Sequence, residues 1–472
     1  MGRKKKRDLP LLEKVEITGV AAEGKALARV DDKVLFVPFA APGDIVDVQV
    51  KKSKNNFMEG VIRHVHKFSD DRAKPFCSHF GLCGGCKWQH LPYEKQLAVK
   101  QQQVTDSLTR IGKVPMEDVE VLPIAASEHT RFYRNKLEYT FSNRRWLSPE
   151  EIELSDKITD MDALGFHIPG YFDKVLDIDK CWLQAEPSNA IRLAVKAFAV
   201  AEGLSFFDLR TYEGLLRNLI IRNTPAGEVM VVVVFGNGEK AAIEKVMTFI
   251  DQRFPDLTSL AWMVNTKVNS SIADLKPEIW RGKAFLEEHM DGLRFQVGPK
   301  SFFQTNSYQA YRLYSVVRSF AGLTGREVVY DLYTGAGTIA CFLAREADKV
   351  IGIEYVDEAV AHAHVNAERN EISNATFFAG DMAEVFNSEL MDKYGYPHVI
   401  ITDPPRAGMH PKVIKQIISS GADRVVYVSC NPATQARDIE LLSKRYVVKK
   451  AQAVDMFPHT HHVENVVLME RV

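Results

Sequence analysis

The chain of 472 residues has little cysteine, no surplus of either charge and no long apolar run. Six cysteines over that length, with no secretory signal ahead of them, are too few for a disulfide framework, so metal binding, catalysis or burial must account for each. No apolar stretch reaches the ~18 residues of a membrane span, and no apolar signal-peptide core follows the basic N-terminus. A soluble, cytoplasmic protein without a membrane partner is therefore expected. Sixty Lys and Arg against 61 Asp and Glu exclude a strongly cationic whole, so any nucleic-acid partner must be met by local patches. One such patch is Arg3, Lys4, Lys5, Lys6 and Arg7, a run that alone reads as a solvated arm. The length points to two or three domains, and no motif calls for a protein partner.

What is present begins with short alternating runs from about Val15 to His66, such as Asp44-Ile45-Val46-Asp47-Val48-Gln49-Val50, punctuated by Gly19, Gly24, Pro42-Gly43 and Gly60. This is the pattern of a small β-barrel built from hairpins. Lys51, Lys52, Lys54, Arg63, His64 and Lys67, with Phe57 among them, suit a surface that touches RNA. The segment from Ile17-Thr18-Gly19 to Pro42-Gly43-Asp44 resembles a TRAM domain, an RNA-binding barrel.

Three of the cysteines, Cys77, Cys83 and Cys86, fall within ten residues around two glycines, a spacing suited to an inorganic centre. A fourth ligand is needed, and Cys181 is the candidate. Zinc and a [4Fe-4S] cluster both accept four thiolates, so ligand count leaves the two open. Tyr93 to about Ile111 reads as a helix ending before Gly112. Arg131-Phe132-Tyr133-Arg134-Asn135-Lys136 interleaves cations and aromatics, as single-strand binding would require, but taken alone it reads as an amphipathic strand with Phe132 or Tyr133 in the core.

From about Glu327 the rhythm becomes strand, glycine turn, helix, strand, the doubly wound pattern whose ligands lie at the carboxyl ends of the strands. Tyr333-Thr334-Gly335-Ala336-Gly337-Thr338 lacks the third glycine of the dinucleotide fingerprint, which argues against nicotinamide. Glu354 ends the next strand, where an acid can accept ribose hydroxyls, and Gly380-Asp381 falls beside the position of an adenine. Asp403-Pro404-Pro405-Arg406 and Ser429-Cys430-Asn431-Pro432 end two further apolar strands, and Phe457-Pro458-His459-Thr460 leads to Glu464. Cys341, among apolar neighbours, reads as core.

A thiol and a carboxylate suit methylation of uracil at carbon 5. Thiolate addition to carbon 6 makes carbon 5 nucleophilic, and a base must then remove the carbon-5 proton. With Phe302-Phe303-Gln304-Thr305-Asn306 opening the last domain, nearly the whole chain resembles the RNA uracil-C5 methyltransferase family, in its branch with a TRAM domain and a [4Fe-4S] cluster. The resemblance implies an α/β chain with an N-terminal OB-like barrel over 1–67 and a mixed Fe–S and RNA-binding domain over 68–290. A Rossmann-like domain over 291–472, dependent on S-adenosylmethionine, would complete it, with the helix at 93–112 packed on that domain. It implies Cys430 as nucleophile and Glu464 as base. Gln304, Tyr333, Glu354, Asp381 and Asp403 fall at cofactor contacts, and Cys77, Cys83, Cys86 and Cys181 on the cluster. The implied substrate is 23S ribosomal RNA, with the T-loop uridine of transfer RNA as the alternative. Thr338 stands where relatives often carry Asn, and His461 and His462 read as part of a hydrogen-bonding loop, with a metal pair as the other reading. An amine-directed methyltransferase and a non-catalytic Fe–S RNA-binding protein are the readings from other classes.

Overall fold

The computed structural model describes residues 9–153, 158 and 160–472. The basic run at 3–7 lies outside the described residues. Near the N-terminus, strands from Leu11–Glu16 to Phe57–Lys67 form one six-stranded sheet. The strand Ile45–Ser53 alternates half-buried and buried positions, and Val46, Val48 and Val50 join Ile17, Ala28, Leu35 and Val37 in an apolar core. Asp44 is fully buried where the sheet meets the next segment. It accepts the Ala41 and Ser69 amides at 2.6 and 2.9 Å and pairs with the Arg72 guanidinium at 2.7 Å.

The stretch between Lys67 and Tyr93, which carries Cys77, Cys83 and Cys86, contains turns but no helix or strand. A helix, α1 (Tyr93–Arg110), follows and packs against the C-terminal part of the chain. Beyond it lies a seven-stranded sheet between Lys136 and Gly282. At its centre Leu216–Asn223 and Val229–Phe235 pair antiparallel, and both are almost wholly buried. The run at 131–134 is not a strand. Phe132 has a positive φ of 55° and is exposed while Tyr133 is buried, because the amides of Phe132 and Arg134 bond to the carbonyls of Trp182 and Leu183 instead of a sheet partner.

The last sheet has eight strands: β1 (Glu120–Ala125), β2 (Val328–Leu332), β3 (Lys349–Glu354), β4 (Ala375–Ala379), β5 (Val399–Thr402), β6 (Arg424–Ser429), β7 (Tyr446–Val454) and β8 (Glu464–Arg471). Their order across the sheet is β4-β3-β2-β5-β6-β8-β7-β1. The strands β4, β3, β2, β5 and β6 are parallel, and the β7–β8 hairpin runs antiparallel at one side. Sheet membership crosses the boundary expected near 290, because β1 pairs with β7 and so carries part of the preceding segment into this sheet. Helices α2 (Ser307–Ala321), α3 (Thr338–Ala344) and α4 (Pro432–Leu442) cover it. Cys341 in α3 is fully buried in the apolar core.

Candidate active site

Parallel pairing sets the crevice. Leu332 is level with Ile353 on one side and Thr402 on the other, and Thr402 with Tyr427, so the residues that leave these strands emerge along one edge. After β2, Tyr333 takes φ +66°, followed by Gly335 at +57° and Gly337 at +73°. A side chain at Gly337 would meet Ala363 at 2.9 Å, whereas the space beside Gly335 is open. Glu354 closes this turn, its two carboxylate oxygens accepting the amides of Gly335 at 3.1 Å and Val356 at 3.0 Å. Asp381 follows β4 and caps a short helix by accepting the Ala383 amide at 2.8 Å. Thr338 opens α3 and its hydroxyl pairs with that of Tyr314 on α2 at 3.2 Å.

Antiparallel pairing sets the reacting pair. Ser429 at the end of β6 lies opposite Asn465 on β8, so Cys430 and Glu464 are the next facing positions. Glu464 is 5% exposed, and burial pushes its carboxyl up to about 8, aided by Asp403 and opposed by Arg406. Burial likewise raises Asp403 and Asp331 to about 7. Cys430 is half-buried. Burial and the Glu464 charge raise its thiol, and the Arg406 guanidinium beside it favours the thiolate. The Arg406 carbonyl is held by Asn431 Nδ2 at 3.2 Å and Thr434 Oγ1 at 3.1 Å. Asn431 also caps α4, whose first residue is Pro432.

Gln304 lies on the loop ahead of α2. Its carbonyl accepts Asn135 Nδ2 at 2.9 Å, and the neighbouring Asn306 donates to the Met456 carbonyl at 3.0 Å. That bond stitches the Gln304 loop to residues 455–463, which connect β7 to β8. His461 and His462 lie tilted against each other there with ring centroids 4.0 Å apart, and burial lowers them to about 4 and about 3. Two neutral rings beside a TRAM-side turn, where a Cβ on Gly24 would meet His461 Cβ at 3.0 Å, describe a packed loop.

The four remaining cysteines come together elsewhere. Cys77, Cys83, Cys86 and Cys181 line one cavity of about 400 Å³, whose wall also includes Arg134 and Thr305. Burial pushes Cys83 up to about 11 and Cys86 to about 12. Among the described residues no three His, Cys, Asp or Glu side chains converge on a single ion position. Beside this cavity the Arg131 guanidinium lies 4.0 Å over the Phe76 ring and 5.5 Å over that of Trp182, and Lys180 is 4.0 Å over Trp182. Phe132, exposed, tilts against Trp182 at 5.7 Å.

Sequence reasoning singled out the crevice acids and Cys430 but missed three residues. Arg406 was named only as the last residue of Asp403-Pro404-Pro405-Arg406, with no role, and Lys100 and Asp455 went unremarked. The available signal for Lys100 was its place in the row 96, 100, 104, 108 on one helix face, ahead of Val104 and Leu108.

A sheet with a glycine turn after β2, an acid at the end of β3 and helices on its faces belongs to the α/β class of nucleotide-cofactor enzymes. The profile of the TRAM domain matches residues 13–62, and that of tRNA (uracil-5-)-methyltransferase matches residues 286–472. An uncharacterized RNA methyltransferase of Bacteroides thetaiotaomicron is 56% identical over 96% of this chain and 100% of its own length. One from Porphyromonas gingivalis is 55% identical over 97% of this chain and 99% of its length. Among solved structures, the Pyrococcus abyssi tRNA (uracil-54, C5)-methyltransferase in complex with S-adenosyl-L-homocysteine superimposes with a TM-score of 0.74. It is 29% identical, and the match covers 97% of this chain and 99% of that one. The chain belongs to the RNA uracil-5-methyltransferase family and is an S-adenosylmethionine-dependent enzyme. No helix among the described residues is long and apolar enough to cross a membrane.

Proposed function

We propose that the protein methylates carbon 5 of a uridine in structured 23S ribosomal RNA through a covalent adduct on Cys430. The observation that carries this reading is the register that sets Cys430 opposite Glu464 at the carboxyl edge of the sheet. The Cys430 thiolate adds to carbon 6, forming a sulfur–carbon bond and an enolate rich in electrons at carbon 5. S-adenosylmethionine, when bound, supplies an electrophilic methyl group. Glu464 takes the proton from carbon 5, the carbon–sulfur bond breaks, and the thiolate returns. Gln304, Tyr333, Glu354, Asp381 and Asp403 would hold the cofactor. The target base must leave its stack, which costs a few kcal/mol and favours loops over duplex.

RNA in which 5-fluorouridine replaces uridine tests the chemistry. Fluorine cannot leave as a cation, so a labelled, denaturation-resistant adduct on Cys430 is expected. Methylation of ordinary RNA without any adduct on the fluorinated one would turn the reading toward amine methylation. The target rests on the resemblance to the TRAM- and cluster-bearing branch, while the name of the Pyrococcus abyssi neighbour favours transfer RNA. Mapping 5-methyluridine in RNA from a deletion strain decides, and loss from transfer RNA alone overturns the ribosomal target.

The resemblance to the cluster-bearing branch favours a [4Fe-4S] centre over zinc. Four thiols lining one cavity supply the ligand number that either centre accepts. Iron and sulfide in anaerobically purified protein are the expected result, and one zinc per chain would refute the cluster. The segments 1–67 and 68–290 would grip RNA, the second through Arg131, Phe132, Lys180 and Trp182, with 291–472 as the catalytic unit. Its substrate would be met in the cytoplasm.

A further inference from the structure

Residues 455–463 deliver Glu464 to the crevice without helix or strand of their own, and His459 there takes φ +64°. Within the hairpin, Glu464 is held only by its pairing with Val454. The loop is clamped from outside by one face of α1. Val104 and Leu108 on that face bury as apolar residues should, but Gln96 and Lys100, two turns and one turn before Val104, have no exposed surface either. Burying an ammonium is costly unless it is paired and hydrogen-bonded. Lys100 Nζ donates to Asp455 Oδ1 at 2.5 Å and to the Phe457 carbonyl at 3.1 Å. The Tyr93 hydroxyl donates to the other Asp455 oxygen at 2.8 Å and accepts the Ser127 amide at 2.8 Å. Asp455 Oδ1 also accepts the Phe457 amide at 3.2 Å. Gln96 Oε1 accepts the His459 amide at 2.9 Å, and its Nε2 lies 3.2 Å from His459 Nδ1.

We propose that Tyr93, Gln96, Lys100 and Asp455 form a lock that positions Glu464 against carbon 5 of the target base. None of the four is placed among the reacting groups, so they are positioning residues. An apolar contact of the same volume would stabilise the fold at least as well as a buried ion pair. What the pair adds is direction, since each oxygen of Asp455 has its own donor and the loop has one way to sit. The proposal rests on the reading of Cys430 as nucleophile and Glu464 as base.

Thiol addition and methyl transfer precede proton removal, so a displaced Glu464 slows only the last step. Asp455→Asn and Lys100→Met are expected to accumulate the methylated RNA–protein adduct at least about tenfold over the unaltered enzyme, with cofactor affinity by calorimetry unchanged within about twofold. Tyr93→Phe removes one hydrogen bond, is expected to accumulate less adduct, and carries the test if the other two do not fold. Glu464→Gln is run beside them. Adduct with Glu464→Gln but none with the lock variants overturns the lock, and absence of adduct with Glu464→Gln overturns the reading beneath it. A loss of active protein at a constant ratio of adduct to product would make the four contacts structural only, and also overturns the proposal.

Discussion

The crevice and the cysteine cavity are assembled in opposite ways. Every crevice residue except Gln304 leaves a strand end, so sheet register alone aligns Tyr333, Glu354, Asp403, Cys430 and Glu464. The cavity has no such frame. Three of its cysteines sit in turns between Lys67 and Tyr93, and the fourth, Cys181, follows Val175–Asp177, the edge strand of the seven-stranded sheet. The crevice is therefore fixed by strand pairing, and burial there raises three carboxyls to about 7 to 8. The cavity rests on turns and on one residue that follows an edge strand.

The largest effect that would break this contrast is at the nucleophile. Cys430→Ala is expected to lower methyl transfer by about 10³-fold or more, while calorimetric binding of S-adenosylmethionine persists because the sheet stays intact. Glu464→Gln comes next, with turnover down about 10²- to 10⁴-fold and a trapped methylated adduct visible on denaturing gels. Normal turnover in that variant would remove Glu464 from the chemistry.

Cys181→Ser sharpens the comparison from the other side. Iron content by metal analysis and thermal stability are both expected to drop, with binding of S-adenosylmethionine unchanged. A matching fall in cofactor affinity would mean that the two regions are not independent. Such a link has a route, because the His459 carbonyl accepts the amides of Lys87 and Trp88 just past Cys86, at 2.9 and 3.0 Å.

The smallest effect is a pH dependence of stability. Asp331 and Asp403, raised to about 7, and Glu464, raised to about 8, hold protons in the folded protein that the unfolded chain has released. Their contribution is full below about pH 4 and is lost as pH rises through about 7 to 8. The Tm of cofactor-free protein is expected to fall across that window, and less so in Glu464→Gln. An equal slope in both proteins would place the titration elsewhere.

Much of the crevice was legible because Tyr333, Glu354, Asp403 and Cys430 stand at the ends of apolar runs that read as buried strands, as Val425 to Ser429 before Cys430. The glycine turn and the acids at strand ends carry local signals of the same kind. The segment at 131–134 was misread as strand because its backbone partners, Trp182 and Leu183, lie far along the chain and leave no periodic trace. Lys100 and Asp455 were hidden for the same reason. A buried lysine looks like any surface lysine until its partner, separated by most of the chain, is brought to 2.5 Å.

The sequence by itself determined the alternation of strand and helix after about residue 327, the chemistry present at the strand ends and the family, since periodicity, turns and motifs are local. Only the tertiary structure decided that Cys430 faces Glu464, that four cysteines share one cavity and that a helix from the first quarter of the chain clamps the loop before Glu464. Those are matters of register and of long-range pairing, which depend on how the elements pack and not on any one stretch of residues.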